Sequence, residues 1–233
     1  MIKFYYSLAP NPLKVALFLE EAGLEYEAIP VDTRKGEQFA PAFAAVNPNN
    51  KVPAIVDGEA AVFDSGAILL YLGEKTGKFV PPAGDKARGE LLSWLMFAAT
   101  GIGPYSGQAV HFRHYAPEPK EYGVTRYLYE VKRHYGVLDA RLADREWMLG
   151  SAYSIVDMAV WGWARMLPFI LGETNKDMTV WSEFPHVKRL MDAINARPAA
   201  TRAEAIRDRH SFKAEFDAEA KAFMFRHIKE TAA

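Results

Sequence analysis

At 233 residues, half of them hydrophobic, the chain is long enough to bury a sizeable core in one or two domains. A formal net charge of -1 offers no broad cationic field for nucleic acid or an anionic membrane, and the absence of cysteine excludes disulfides, thiolate metal sites and a cysteine nucleophile. Any redox sulfur must come from a ligand, so the expected partner is a small molecule or another protein. Met1-Ile2-Lys3 leads into strand-like sequence without signal-peptide features, and no stretch is apolar for long enough to span a bilayer; the expectation is a soluble, cytoplasmic protein.

In chain order, Ile2 to Leu8 is rich in β-branched and aromatic residues and reads as a strand. Ala9-Pro10-Asn11-Pro12 interrupts it, and Leu13, Ala16, Leu17 and Leu24 then keep roughly helical spacing, with Pro12 suited to a first helical position and Gly23 to a stop. Tyr26 to Asp32 is a second strand, which Pro30 places at a sheet edge because proline cannot donate to a ladder. Phe39 to Val46 is a short helix candidate. Val52 to Val56 and Ala60 to Phe63 flank Asp57-Gly58, a tight-hairpin signal, and Ser65 can cap a helix running to about Lys75. This β-α-β-α-β-β-α order is that of an α/β thioredoxin-like domain over residues 1–80.

Pro81-Pro82-Ala83-Gly84-Asp85 reads as a linker within 81–87, and an all-α helical bundle is expected over 88–210. Leu91, Leu92, Leu95 and Met96 begin a long apolar face. Gly101-Ile102-Gly103-Pro104 suggests a break, and Tyr122 to Leu142 is helical with many exposed charges. Ser154-Ile155-Val156-Asp157 has the form of a capping box before a segment apolar on most sides, suited to a buried central helix. Phe212, Phe216, Ala220, Phe223 and His227 are spaced as one face of an amphipathic helix in a C-terminal extension, 211–233, that must cover either a site entrance or a dimer surface.

Four stretches, NNKVPAIVDG, FDSGAILLYLGEKTG, YSIVDMAVW and FPHVKRLMDAINARPA, together resemble the cytosolic glutathione transferases at landmarks over nearly the whole chain. Within that superfamily, Pro10-Asn11-Pro12 followed by Lys14, KGEQF, NPNNK and GIGPYSGQAVHF are similar to the bacterial Nu class and its fungal nitrogen-regulator relatives.

Glutathione carries two carboxylates, an ammonium, a peptide backbone and a thiol, and the chain offers a group for each. Asp64-Ser65 precedes a helix, whose free N–H groups and dipole suit a carboxylate; Ser65 adds a hydroxyl and Asp64 can take the ammonium. A Val52-Pro53 bond held cis would let Val52 pair with the ligand backbone as an added strand does. Gln38 and Lys51 are polar and cationic as the remaining carboxylate requires, and their family position supports both. Each has a bland rival: Ser65 as a mere cap, Asp64 as a solvated turn acid, Gln38 and Lys51 as surface residues.

In glutathione transferases the end of the first strand carries the group that stabilises the sulfur, a Thr and an Asn in Nu-like members. The Thr position aligns with Ala9, so a hydroxyl is missing, and Asn11 is the candidate catalytic residue. One hydrogen bond from its amide to a thiolate is worth roughly 1.5–3 kcal/mol, or about one to two pKa units on the thiol. The competing reading is an Asn that only caps the helix, and Tyr5, Tyr6 and Ser7 are the rival donors. Arg133 matches an arginine that Nu-like members place near glutathione; the alternative is a solvated helix arginine.

Tyr105, His111, Phe112, His114 and Tyr115 form an aromatic run, with Tyr105, His111 and Phe112 the candidates for a second-substrate pocket; a dimer core would use the same residues. His111 and His114 lack a third ligand nearby, so no metal is expected. The resemblance implies glutathione as cosubstrate, a homodimer, and glutathione-dependent disulfide reduction using ligand thiols alone. Conjugation to electrophiles or organic peroxide reduction at the same thiolate is the enzymatic alternative, and a non-catalytic glutathione-binding regulatory protein is the alternative of another class.

Overall fold

The computed structural model describes residues 1–117, 120–172 and 179–226. Its first part runs β1 (Ile2–Tyr6), α1 (Pro10–Ala22), β2 (Tyr26–Pro30), a short tight turn of helix (Glu37–Phe39), α2 (Pro41–Ala44), β3 (Ala54–Asp57), β4 (Ala60–Phe63) and α3 (Ser65–Thr76). The sheet order is β2-β1-β3-β4, with β2 parallel to β1 and the remaining pairs antiparallel. This is a thioredoxin-like α/β domain. Pro30 lies on the edge strand opposite Tyr6, where its missing N–H costs no ladder bond. Gly58, at φ 63°, opens the two-residue turn between β3 and β4.

β1 alternates strictly. Ile2, Phe4 and Tyr6 point into the main core, while Tyr5 crosses to the other face and packs on Phe43 of α2. Helix α1 starts at Pro10 rather than Pro12, because Ala9 is extended and Pro10 supplies a φ already suited to the first helical position. Asn11 therefore belongs to the first turn.

The helical domain contains α4 (Ala87–Phe97), α5 (Gly103–Val110), α6 (Glu121–Leu142), α7 (Ile155–Ala164), α8 (Leu167–Leu171), α9 (Val180–Glu183), α10 (Pro185–Asn195) and α11 (Pro198–Glu204). Every residue of α7 is buried, as expected of a helix apolar all round, and its start carries the full Ser154–Asp157 capping box. The expected break at Gly101–Pro104 is absent. Chain direction is carried through by a wide turn over Ala98–Ile102, closed by the Gly103 N–H on the Ala98 carbonyl, and a second wide turn follows at His111–Tyr115.

The C-terminal expectation also changes. Residues 211–217 have no regular secondary structure, and Ala218–Met224 (α12) is the helical part of the described tail, capped by Asp217. Phe212 packs edge-on against Tyr6 and Phe216 against Tyr115, so tertiary partners override the helical spacing. His227 lies outside the described residues. No described helix is long and apolar enough to cross a membrane.

Candidate active site

The site starts from the two prolines. A helix leaves the N–H groups of its cap and first three residues without intrahelical partners, but Pro10 and Pro12 have none to offer, so Ala9 and Asn11 alone present backbone donors at the start of α1. Ala9 cannot cap with its side chain. Nor does Asn11: its Oδ1 accepts instead from the indole N–H of Trp163, at 3.0 Å. Because that indole nitrogen only donates, the amide oxygen must face it, and the Nδ2 group turns away with no partner among the described residues. The rival donors sit differently. Tyr6 is fully buried and its hydroxyl donates to the Ile206 carbonyl at 3.0 Å, with His210 Nδ1 also at 3.0 Å. Burial raises its pKa. Tyr5 is committed to Phe43, and Ser7 lines the cleft next to Ala9.

At the start of α3 the cap is Asp64, not Ser65. Asp64 sits at φ 71°, unusual for a residue with a side chain, and its Oδ1 accepts from the Gly66 and Ala67 amides at 2.8 and 3.2 Å. The Ser65 hydroxyl, on a residue only 7% exposed, is left without a protein partner among the described residues. Just before β3 the Val52-Pro53 bond is cis, and Val52 stands outside the strand ladder. Lys51 is exposed. Gln38 is buried beneath the C-terminal segment: its Nε2 donates to the Thr33 and Phe223 carbonyls at 3.3 and 3.5 Å, while its Oε1 has no partner among the described residues.

Behind α1, Lys14 is 3% exposed and has no ion pair among the described residues. Burial pushes its ammonium down to about 8, opposed by the charge of Asp64. Gly162 of α7 makes room for it, since a Cβ there would stand 2.5 Å from the Lys14 Cγ and 2.7 Å from the Pro10 carbonyl.

A cleft of about 700 Å³ opens between the end of β1 and the helical domain. One wall is apolar, built from Val110, Tyr115, Trp163, Met166, Phe169 and Phe212. The other carries Asp32, Arg34, Arg207, His210 and Lys213. The extension is strapped across this second wall: Asp32 accepts from the Lys213 amide at 2.6 Å, and the Arg34 guanidinium donates to the Lys213 and Ala214 carbonyls at 3.1 and 2.5 Å. It thus covers the cleft.

From the aromatic run, Tyr115 reaches this cleft, whereas Tyr105, His111 and Phe112 lie outside its lining. Tyr105 packs on His134, His111 on Phe225, and Phe112 stacks on Tyr127. The wide turn at 111–115 rotates the helical face and so brings Tyr115 round to the cleft. Arg133, on α6, donates its Nε to Glu130 at 2.9 Å and contacts His134, outside the cleft lining; Asn11 also lies outside that lining, next to Pro10 and Trp163, which belong to it. Among the described residues no three His, Asp or Glu side chains group as a metal cage.

Residues 2–74 match the family model of the glutathione S-transferase N-terminal domain, and residues 94–198 that of the glutathione S-transferase C-terminal domain. The chain is 42% identical to the disulfide-bond oxidoreductase YfcG of Escherichia coli, over 87% of this chain and 94% of that protein. It belongs to the glutathione transferase family. Among solved structures, a glutathione transferase family member from Pseudomonas fluorescens with two glutathiones bound is 40% identical, with a TM-score of 0.81 over 87% of this chain and 92% of that one. The glutathione transferase URE2P8 of Phanerochaete chrysosporium, crystallised with oxidised glutathione, is 31% identical, with a TM-score of 0.82 over 89% and 95%. Bacterial and fungal relatives thus flank this transferase, as its motifs suggested. What local sequence did not reveal is the contribution of Trp163, Met166 and Arg207, which only the docking of the helical domain brings to the cleft.

Proposed function

We propose that this transferase binds glutathione across the starts of α1 and α3 and uses its thiolate to reduce disulfides. In this reading Ser65 and the α3 amides take the γ-glutamyl carboxylate, Asp64 the ammonium, Val52 the cysteinyl backbone, Gln38 and Lys51 the glycyl end, and Asn11 the sulfur. Arg133 retains the role that the family resemblance gives it. The observation that carries the reading is the Asn11 amide, oriented with its donors unspent at an open helix start in a protein that has no sulfur nucleophile of its own.

The bound thiolate attacks the glutathionyl sulfur of a mixed disulfide. The old S–S bond breaks as glutathione disulfide forms, and the departing thiolate takes a proton from solvent. The protein contributes binding, alignment and a lowered thiol pKa. Arg34 and Arg207 on one wall of the cleft favour a second partner that bears carboxylates, as a glutathionyl group does.

The apolar wall supports a second reading, conjugation to an apolar electrophile or reduction of an organic peroxide. Turnover of hydroxyethyl disulfide with glutathione, measured beside 1-chloro-2,4-dinitrobenzene and cumene hydroperoxide, separates the two. Fastest turnover of the disulfide is expected, and activity confined to the electrophile overturns the reductase reading. The same proposal has the protein working as a cytoplasmic homodimer, with exposed Leu92 and Met96 of α4 available for the contact, and keeps the division into 1–80, 88–210 and the extension 211–233.

A further inference from the structure

We propose that Trp163 is a positioning residue for the thiolate donor: its indole N–H holds the Asn11 amide with the oxygen turned inward and the Nδ2 hydrogens outward. The inference rests on the reading of Asn11 as the group that stabilises the sulfur.

An asparagine amide is nearly symmetric in shape and opposite in polarity at its two ends. Left to rotate, it would offer a thiolate its oxygen lone pairs as readily as its N–H hydrogens, and the first of these repels. A donor-only neighbour removes the ambiguity. Trp163 Nε1, 3.0 Å from Asn11 Oδ1, is such a neighbour, and the bond spans 152 positions and joins the two domains. The indole itself is held. Trp163 is 9% exposed on the wholly buried helix α7, and the bare α-carbon of Gly103 on α5 lets that helix come close, since a Cβ there would stand 3.3 Å from Nε1. Gly162, the preceding residue, lets α7 seat against the Pro10 carbonyl in the turn that carries Asn11. The helical domain thereby sets the polarity of a group that belongs to the thioredoxin-like domain.

The same helix provides an internal control. Trp161 Nε1 donates to Asn195 Oδ1 at 2.8 Å, the same chemistry directed at α10 and away from the cleft. Trp163→Phe and Trp161→Phe each delete one indole N–H and keep an aromatic ring, so packing losses are shared and only the first touches Asn11.

The test is the thiolate absorbance of the glutathione complex against pH in wild type, Asn11→Ala, Trp163→Phe, the double variant and Trp161→Phe. Losing a directed hydrogen bond should raise the midpoint by about one to two units in Asn11→Ala and by roughly half to one unit in Trp163→Phe. The double variant should titrate like Asn11→Ala alone, and Trp161→Phe like wild type. A wild-type midpoint in Trp163→Phe alongside a shifted Asn11→Ala overturns the positioning role and keeps the Asn11 reading; fully additive shifts overturn it as well. An unshifted Asn11→Ala overturns the reading beneath it, and the inference with it. Should Trp163→Phe fail to fold, the indole N–H resonances of wild type and Asn11→Ala decide: one should move on loss of the amide, and a spectrum in which none moves overturns the contact.

Discussion

Helices α1 and α7 both start at a strand-like residue and both are buried at the domain interface, yet their N-termini are built in opposite ways. The start of α7 is sealed. Ser154 Oγ accepts from the Val156 amide, and the wholly buried Asp157 accepts from the Met148 and Ser154 amides at 2.8 Å each and from Ser154 Oγ at 2.9 Å. The start of α1 has an alanine cap, two prolines without N–H groups, and an asparagine whose side chain ignores its own helix. A sealed start spends its donors on the fold, whereas an open one keeps them for a ligand. Helix α3 is intermediate, with Asp64 closing two amides and Ser65 without a partner among the described residues.

The largest effect should come from breaking the sealed end. Asp157→Ala strands three buried donors, and a loss of about 3–5 kcal/mol is expected from such a network. Urea unfolding measures it, and a loss below roughly 1 kcal/mol would show that water or local repacking replaces the carboxylate.

Next comes the cation behind the open end. Lys14 is buried without an ion pair among the described residues, and its fall from 10.5 to about 8 means that folding disfavours the ammonium by about 3 kcal/mol at neutral pH. The sign follows directly. Below pH 8 the penalty is fully present; it fades as pH rises towards the unfolded value, so wild type should gain stability between about pH 8 and 10.5 from this group. Lys14→Met keeps the volume and should be more stable at pH 7, by up to about 3 kcal/mol, with that rise removed. Thermal unfolding across this pH range checks it, and equal slopes in both proteins would place the ammonium in water.

The intermediate helix tests the comparison from the ligand side. Ser65→Ala should weaken glutathione binding by roughly 1–3 kcal/mol, the cost of a hydrogen bond to a charged group, while unfolding stays near wild type because Asp64 already caps α3. Calorimetry and urea unfolding together decide. Wild-type affinity with a weakened fold would make the serine part of the cap after all.

How far the sequence reveals this contrast depends on the range of each interaction. The Ser154–Asp157 box spans four residues and the turn after Asp57 only two, so their chemistry is complete in a local window. The β-α-β-α-β-β-α order is likewise a matter of adjacent segments. Local spacing fails where a distant partner decides. Phe212 and Phe216 keep helical spacing yet lie in a strap without regular secondary structure, because Tyr6 and Tyr115 offer better packing. Asn11 was visible as a candidate from its position, but the bond that orients it comes from 152 residues away. The wide turn at His111–Tyr115 adds a residue to the helical count, so periodicity alone could not select Tyr115 as the ring that reaches the cleft.

The smallest expected effect is the most direct probe of the open start: giving α1 a hydroxyl at its cap. Ala9 already has the extended backbone of a capping residue, which threonine adopts without backbone strain. An ordinary cap reaches the amide of the second or third helical residue, but the third is Pro12, which leaves only the Asn11 N–H to bind. Ala9→Thr should therefore stabilise the fold by about 0.5 kcal/mol, towards the lower end of the capping range. The hydroxyl oxygen that accepts from Asn11 keeps its own hydrogen, and that hydrogen can donate to a sulfur at the same helix start. The bound thiol should then titrate lower by up to about one unit, as one added hydrogen bond to a charged acceptor requires. Both changes together would show that a donor set can serve helix and ligand at once. Added stability with an unmoved titration would place the sulfur away from Ala9 and leave Asn11 Nδ2 as the donor that matters, whereas a lowered titration without added stability would mean that α1 has no use for a cap and its open start serves the ligand alone.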